Sequence, residues 1–327
     1  MNAKMKVYLT DSEFPDYIYE KLEIEKVGGS IERLSCKTEE DIIKYCQDAV
    51  GLIVQYAPIT KHVLESLPNL KVVSRMGIGV DNIDIEAATK LGIYVSNVPD
   101  GSLEEVSSHA LALLMALSRK ITILNNTVKV NKNWNMQPAI PIRRFTIQTL
   151  GFLSFGRIAQ RLAEKVRPLG LNMIAYDPYL SENIAKKYDV KLVDIETVLE
   201  KSDYISIHSP LTKETKHLIN AEALKKMKNT AYLINTGRGP IIDEKALIEA
   251  LKNKEIAGAG LDVLETEPIE KDNPLLEMEN VIVTPHVAWY SDEALIDIRS
   301  KVAKGVAEVI SGTIPKYLVN KSVKAKI

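Results

Sequence analysis

Three things are scarce in this 327-residue chain, and each scarcity excludes a class of protein. Cysteine occurs twice, as Cys36 and Cys46, at a spacing that fits neither a disulfide framework nor a metal knuckle. A reducing, cytoplasmic setting without a structural metal is therefore expected. Long apolar runs are missing: the most apolar helical stretch, around Leu111 to Leu117, is far short of the ~20 residues that span a bilayer. Met1 to Lys6 leads into a polar-interrupted strand instead of a signal-peptide core, so no membrane association is expected. An excess of one charge is missing as well, since 42 Lys and Arg against 43 Asp and Glu leave a formal net charge of −1. Without a global basic field, nucleic acid is not an expected partner. Lysine runs such as Lys225-Lys226-Met227-Lys228 read as a solvated helix face.

What is present is the composition of a folded globular protein, with 46% hydrophobic and 26% charged residues. The length favours two domains of roughly 100–200 residues each. Short Val/Ile/Leu-rich runs at Lys6–Thr10, Val50–Val54, Leu70–Ser74 and Tyr94–Val98 alternate with amphipathic helical stretches. Such alternation predicts a parallel sheet covered on both faces. From Leu103 to about Lys129 an apolar periodicity free of Pro and Gly predicts one long helix. A second alternation follows, with strands expected near Thr149–Ser154, Asn172–Tyr176, Tyr204–His208, Ala231–Asn235, Gly258–Val263 and Val281–Thr284. A last helix is expected over Asp292–Ser311, stopped by Gly312 and Pro315. No fixed-period repeat or low-complexity linker appears. The expected class is α/β, with two doubly wound parallel-sheet domains.

The segment from Thr149 to Ala159 sits at a strand-to-helix junction, where backbone N–H groups and the helix dipole can hold a pyrophosphate. Gly156 occupies the position where backbone approaches phosphate closely, and Ala159 is an accepted small residue three positions on. Ser154 stands where the fingerprint has its first glycine. If that position needs left-handed backbone, serine costs roughly 1–2 kcal/mol; if it needs only a small side chain, the cost vanishes. Asp177 follows the apolar run Asn172–Tyr176, 21 residues after Gly156, where a carboxylate would accept hydrogen bonds from an adenosine ribose. An anion there disfavours a 2′-phosphate, and neither Pro178 nor Tyr179 supplies a cation to bind one, so NAD is expected over its phosphorylated form.

Three later loops follow expected strands: Asn235 to Pro240, Gly260 to Pro268, and Thr284 to Trp289. That edge of an open α/β sheet is where ligands bind. His286 suits the acid that would protonate an alkoxide left by hydride delivery to a keto group. Glu267 is the candidate for orienting its imidazole and favouring its protonated form. Arg238 offers a planar, permanently charged fork that can grip a carboxylate. Singly, each has a structural alternative: a strand-end cap, a solvated loop acid, a partner for Glu244.

Together with Ser74-Arg75-Met76-Gly77-Ile78-Gly79-Val80-Asp81-Asn82-Ile83-Asp84, these motifs resemble the D-isomer-specific 2-hydroxyacid dehydrogenases over essentially the whole chain. The resemblance implies that Arg238, Glu267 and His286 are catalytic, whereas formate dehydrogenases of the same superfamily have Gln at the position of Glu267. It implies a Rossmann-type cofactor domain inserted into a flavodoxin-like substrate domain, with residues 103–291 binding NAD and residues 1–102 and 292–327 forming the discontinuous substrate domain. It implies that the amides of Ile78 and Gly79 hold the substrate carboxylate, that Asp262 holds the nicotinamide amide, and that the protein is a homodimer built on the NAD-binding domain. The stretch from Thr284 to Ser291 is similar to the branch containing the C-terminal binding proteins, where the aromatic after the His faces the substrate, placing Trp289 at the acyl pocket or in the core. The candidate cofactor contacts are Ser154, Gly156, Arg157, Ile158, Asp177, His208, Thr236 and Asp262; the candidate substrate contacts are Ile78, Gly79, Arg238 and Trp289. The chain departs from the family pattern at Ser154, at Ile147, where relatives usually carry Gly, and at Ser107-Ser108, where Ala then Glu is usual.

Two functions follow from these residues. The first is NADH-dependent, reversible reduction of a small 2-keto acid to the D-2-hydroxy acid. The other is an NADH-sensing interaction protein whose turnover is incidental. No long C-terminal extension is seen, so feedback control through an effector domain is not expected.

Overall fold

A computed structural model describes residues 5–325; the readings made on Met1 to Lys4 and on residues 326 and 327 lie outside the described residues. The chain divides into two compact units, Met1–Ser102 with Ser291–Ile327, and Leu103–Tyr290.

The first unit alternates β1 (Lys6–Leu9), α1 (Ile18–Lys26), β2 (Ser30–Arg33), α2 (Glu39–Tyr45), β3 (Ala49–Val54), α3 (Lys61–Ser66), β4 (Val72–Arg75), α4 (Ile85–Lys90) and β5 (Tyr94–Ser96). Its five strands are all parallel in the order β2-β1-β3-β4-β5. Helix starts are capped by side chains: Thr38 accepts from Asp41 N, Thr60 from Val63 N and Asp84 from Ala87 N, each satisfying an otherwise orphan donor. Both faces of β3 are buried, with Leu52, Ile53 and Val54 fully enclosed, as a central parallel strand requires.

The second unit opens with α5 (Leu103–Ser118) and α6 (Ile121–Lys129), then runs β6 (Thr149–Leu153), α7 (Arg157–Val166), β7 (Asn172–Tyr176), α8 (Glu182–Lys187), β8 (Val190–Leu192), α9 (Ile195–Lys201), β9 (Tyr204–Ile207), α10 (Ala221–Lys226), β10 (Tyr232–Asn235), α11 (Glu244–Lys252), β11 (Gly258–Leu261) and β12 (Val281–Val283). α12 (Asp292–Ile310) belongs to the first unit. The seven parallel strands of the second unit lie in the order β12-β11-β10-β9-β6-β7-β8. Strand order reverses between β6 and β9, and such a switch point is where open α/β sheets bind ligands. Successive residues of β6 serve opposite layers: Leu150 and Phe152 pack with α5 and α7, Leu153 with α9 and α10.

The single long helix expected over Leu103 to Lys129 is two helices. Lys120 takes left-handed backbone (φ 51°) between α5 and α6. The Ser118 hydroxyl donates to Met115 O and Lys120 N to Leu117 O, so tight three-residue closures replace the helical ladder. The apolar periodicity of the sequence runs through the break, but the buried face does not: Leu117 is buried while Ile121 is largely exposed.

Candidate active site

At the switch point the chain leaves β6 through Ser154 in left-handed backbone, φ 64°. This decides between the two possibilities for the missing glycine: the position demands the conformation, and serine bears its cost. A compensating contact exists. Ser209, just after β9, donates its hydroxyl to Leu153 O at 3.2 Å and meets the Ser154 hydroxyl at 2.8 Å. With its own proton spent on Leu153, Ser209 accepts from Ser154.

Gly156 is the N-cap of α7 with no side-chain cap, and a Cβ built there would meet nothing within 4 Å. The helix start therefore presents backbone donors, which lack intrahelical acceptors, to open space. Arg157 and Ile158 form its first turn. Asp177 faces the same loop: one carboxylate oxygen accepts from Phe155 N at 2.8 Å and the other from Tyr179 N at 2.9 Å. Each oxygen retains a lone pair for a ligand hydroxyl. Two buried polar atoms close by in the fold have no protein partner, His208 Nδ1 after β9 and Thr236 Oγ1 after β10. His208 Nε2 lies 2.8 Å from the Ser206 hydroxyl, and burial pushes the imidazole down to about 4, so the ring is neutral near pH 7. An exposed helix start, an acceptor carboxylate and orphaned buried polar atoms around one sheet edge fit a dinucleotide.

Downstream, His286 and Glu267 meet. His286 Nδ1 lies 2.7 Å from Glu267 Oε2, and Glu267 Oε1 accepts from Leu264 N at 2.9 Å. Burial pushes the Glu267 carboxyl up, but the hydrogen bond and charge of His286, the Leu264 amide and Arg238 bring it net below its ordinary value. The imidazole side chain stays 28% exposed, leaving Nε2 available to a ligand. Arg238 follows β10 on a turn locked by Asn235, whose amide donates to Arg238 O at 2.9 Å and accepts from Gly237 N at 2.9 Å. Glu244, the alternative partner for Arg238, instead accepts from Glu265 N at 3.0 Å and from Asn273 at 2.7 Å. Gly239 joins the loops: a Cβ there would fall 1.8 Å from Leu264 O, so only glycine lets the Arg238 turn touch the segment leading to Glu267.

Asp262, for which the resemblance implies the nicotinamide amide as ligand, also braces the loop that carries His286. Its carboxylate accepts from the Thr284 hydroxyl at 2.6 Å, Val287 N at 3.0 Å and Ala288 N at 2.9 Å, while its carbonyl accepts from His286 N at 2.8 Å. The chain around His286, itself left-handed at φ 51°, is thus tied to one buried carboxylate. Trp289 is half-buried with its ring edge-on to Tyr290, centroids 5.6 Å apart.

Ile78 and Gly79 lie in the first unit, in the loop after β4. Asn97 donates to Ile78 O at 2.6 Å, and Val98 N to Gly77 O at 2.9 Å. Among the described residues nothing accepts from the N–H of Ile78 or Gly79.

Residues 111–288 match the family described as D-isomer specific 2-hydroxyacid dehydrogenase, NAD binding domain. A glyoxylate reductase of Korarchaeum cryptofilum is 40% identical over 284 residues, 86% of this chain and 85% of that one. This chain belongs to the D-isomer specific 2-hydroxyacid dehydrogenases. A D-3-phosphoglycerate dehydrogenase of Methanocaldococcus jannaschii is 38% identical over 97% of this chain, which spans only 59% of that protein. Among solved structures, a D-lactate dehydrogenase of Aquifex aeolicus complexed with NAD and lactic acid superposes with a TM-score of 0.87, at 31% identity over 96% of this chain and 99% of that one. As a member of this family the chain is an NAD-dependent oxidoreductase acting on 2-hydroxy acids.

Sequence reasoning passed over Asn235, Ser209, Gly239 and His109, which hold the dehydrogenase's site together. Asn235 opens the quoted Arg238 motif, and only its side-chain bonds, invisible in sequence, mark it as a brace.

Proposed function

We propose that this dehydrogenase reduces a small 2-keto acid to the D-2-hydroxy acid and runs in reverse, with His286 as the general acid and base. The pairing of His286 Nδ1 with Glu267 at 2.7 Å carries the reading. A carboxylate there fixes the tautomer, keeps Nε2 aimed outward, and stabilises the imidazolium. Bound NADH supplies the hydride to the carbonyl carbon. His286 Nε2–H donates its proton to the carbonyl oxygen as charge develops there, and recovers it in the oxidative direction. Arg238 grips the substrate carboxylate and polarises the neighbouring carbonyl, while the amides of Ile78 and Gly79 donate to the carboxylate's remaining oxygen. Trp289 lines the acyl pocket. Ser154, Gly156, Arg157, Ile158, Asp177, His208, Thr236 and Asp262 are the proposed cofactor contacts. Residues 103–291 form the NAD-binding domain; residues 1–102 and 292–327 form the substrate domain.

Candidate substrates differ in the side chain beside the keto group and range from glyoxylate, pyruvate and hydroxypyruvate to phosphorylated or larger acids. NADH oxidation against a panel of 2-keto acids tests this, with His286→Ala as control. Loss of a general acid lowers turnover ~10²–10⁴-fold, with NADH binding retained. Undiminished turnover in that variant would sink the assignment.

A further inference from the structure

His109 lies on α5, outside every motif assigned above, yet it reaches the strand edge that carries His286. Its Nε2 lies 2.9 Å from Thr284 Oγ1 and 3.6 Å from Asp262 Oδ1. Thr284 spends its hydroxyl proton on Asp262 Oδ1 at 2.6 Å, so His109 must be the donor to Thr284 and carries its proton on Nε2. Asp262, with a side chain only 1% exposed, passes the constraint on: it receives Val287 N and Ala288 N, the two amides following His286. A chain of donors thus runs from His109 through Thr284 and Asp262 to the backbone that holds His286 in left-handed conformation. Left-handed backbone at a non-glycine residue is unfavourable by itself and persists only where surrounding contacts dictate it.

We propose that His109 is a positioning residue for hydride transfer: its Nε2–H, relayed by the Thr284 hydroxyl, fixes the Asp262 carboxylate and through it the geometry of His286. This rests on the assignment of His286 as the acid. The imidazole does not touch substrate; it removes rotational freedom from the Thr284 hydroxyl, which otherwise could turn its proton away from Asp262. Unlike a packing residue, it is needed for one donated hydrogen bond, which a glutamine amide can also supply.

The test compares His109→Leu, His109→Gln, Thr284→Val and His286→Ala in the full-length protein, measuring kcat and KM for the keto acid, NADH affinity by fluorescence, and thermal midpoint. Misplacing a reacting group by about 1 Å can lower rate ~10²-fold. The expected result is a kcat roughly 10- to 100-fold lower in His109→Leu and Thr284→Val, with KM and NADH affinity within about threefold of the parent. His109→Gln should recover most of kcat, and the His109→Leu/Thr284→Val pair should be no worse than the poorer single variant, as members of one relay behave. Parental kcat in His109→Leu alongside an inactive His286→Ala would overturn the positioning role alone. An active His286→Ala would overturn both it and the assignment beneath it. Equal loss in the Gln and Leu variants would also overturn it, leaving His109 a packing residue. If His109→Leu does not fold, Thr284→Val with parental kcat overturns the relay.

Discussion

Serine at position 154 sits in backbone that costs roughly 1–2 kcal/mol for a residue bearing Cβ. Replacing it with glycine relieves that cost, but gives up the contact with Ser209, about 1 kcal/mol, and adds unfolded-state freedom of roughly 0.5–1 kcal/mol. The contributions nearly cancel, so Ser154→Gly should denature within about 0.5 kcal/mol of the parent. Ser154→Ala keeps the strain, loses the bond, and should fall about 1 kcal/mol below it. Urea unfolding of the three proteins checks the order; an alanine variant as stable as the glycine one would contradict the compensation. The pair of Glu267 and His286 gives a pH signature. Glu267 titrates below its ordinary value in the folded protein, so its contribution is present above the unfolded value of about 4.3 and is lost as pH falls through the lower folded value. Glu267→Gln should flatten the acid limb of stability and weaken turnover, because a neutral amide cannot stabilise the imidazolium. An unchanged acid limb in unfolding experiments would remove this account.

At the scale of elements, the strands with strong apolar character were legible: Asn172–Tyr176 was placed to the residue, and most others to within one or two. The two that escaped, β2 (Ser-Ile-Glu-Arg) and β8 (Val-Lys-Leu), are edge strands, buried on at most part of their surface and short of apolar signal. Their pairing is enforced by the neighbour they hydrogen-bond to, which no local window contains. The site behaves alike. His286, Glu267 and Arg238 could be read from motif and chemistry, whereas Gly239 and the relay from His109 depend on loops 25 or more residues apart coming into contact. Gly239→Ala should therefore act beyond its own turn, forcing the Leu264 peptide away and moving Glu267 relative to Arg238. Turnover should fall by at least about tenfold, since small misplacements of reacting groups are costly; steady-state kinetics with circular dichroism as a folding control would show it, and full activity would refute it. In the first unit, α1 and α12 are joined by Arg299, which pairs with fully buried Glu20 at 2.8 Å and with Asp16, between the rings of Phe14 and Tyr19. Glu20→Ala leaves a buried guanidinium with one remaining carboxylate, and should cost about 3 kcal/mol by denaturant titration. A loss under 1 kcal/mol would mean the Asp16 contact suffices.

For the whole molecule, the distribution of exposed apolar side chains matters most. Along residues 121–147 of the second unit, Ile121, Val130, Trp134, Met136, Ile140 and Ile147 are each at least half exposed, with Trp134 at 91%. Large apolar side chains exposed this densely along one stretch are surface that a contact with another protein would bury. Trp and Met are among the residues enriched at interface centres. The occupant consistent with the family resemblance is a second copy of the chain, which we propose as the homodimer built on the NAD-binding domain. Two-fold pairing would place the same stretch of each copy at the interface. Removing one anchoring tryptophan costs an interface ~2–4 kcal/mol, and a charge in its place adds desolvation to the loss. Trp134→Glu combined with Ile147→Asp should therefore shift the protein to monomer at micromolar concentration, measured by sedimentation velocity, while NADH binding to each chain persists. Because none of the proposed cofactor contacts lies within 121–147, affinity for NADH should change less than twofold. A parent protein that sediments as a monomer would eliminate the dimer. A double variant that remains dimeric would place the interface on a different face of the second unit or on the first.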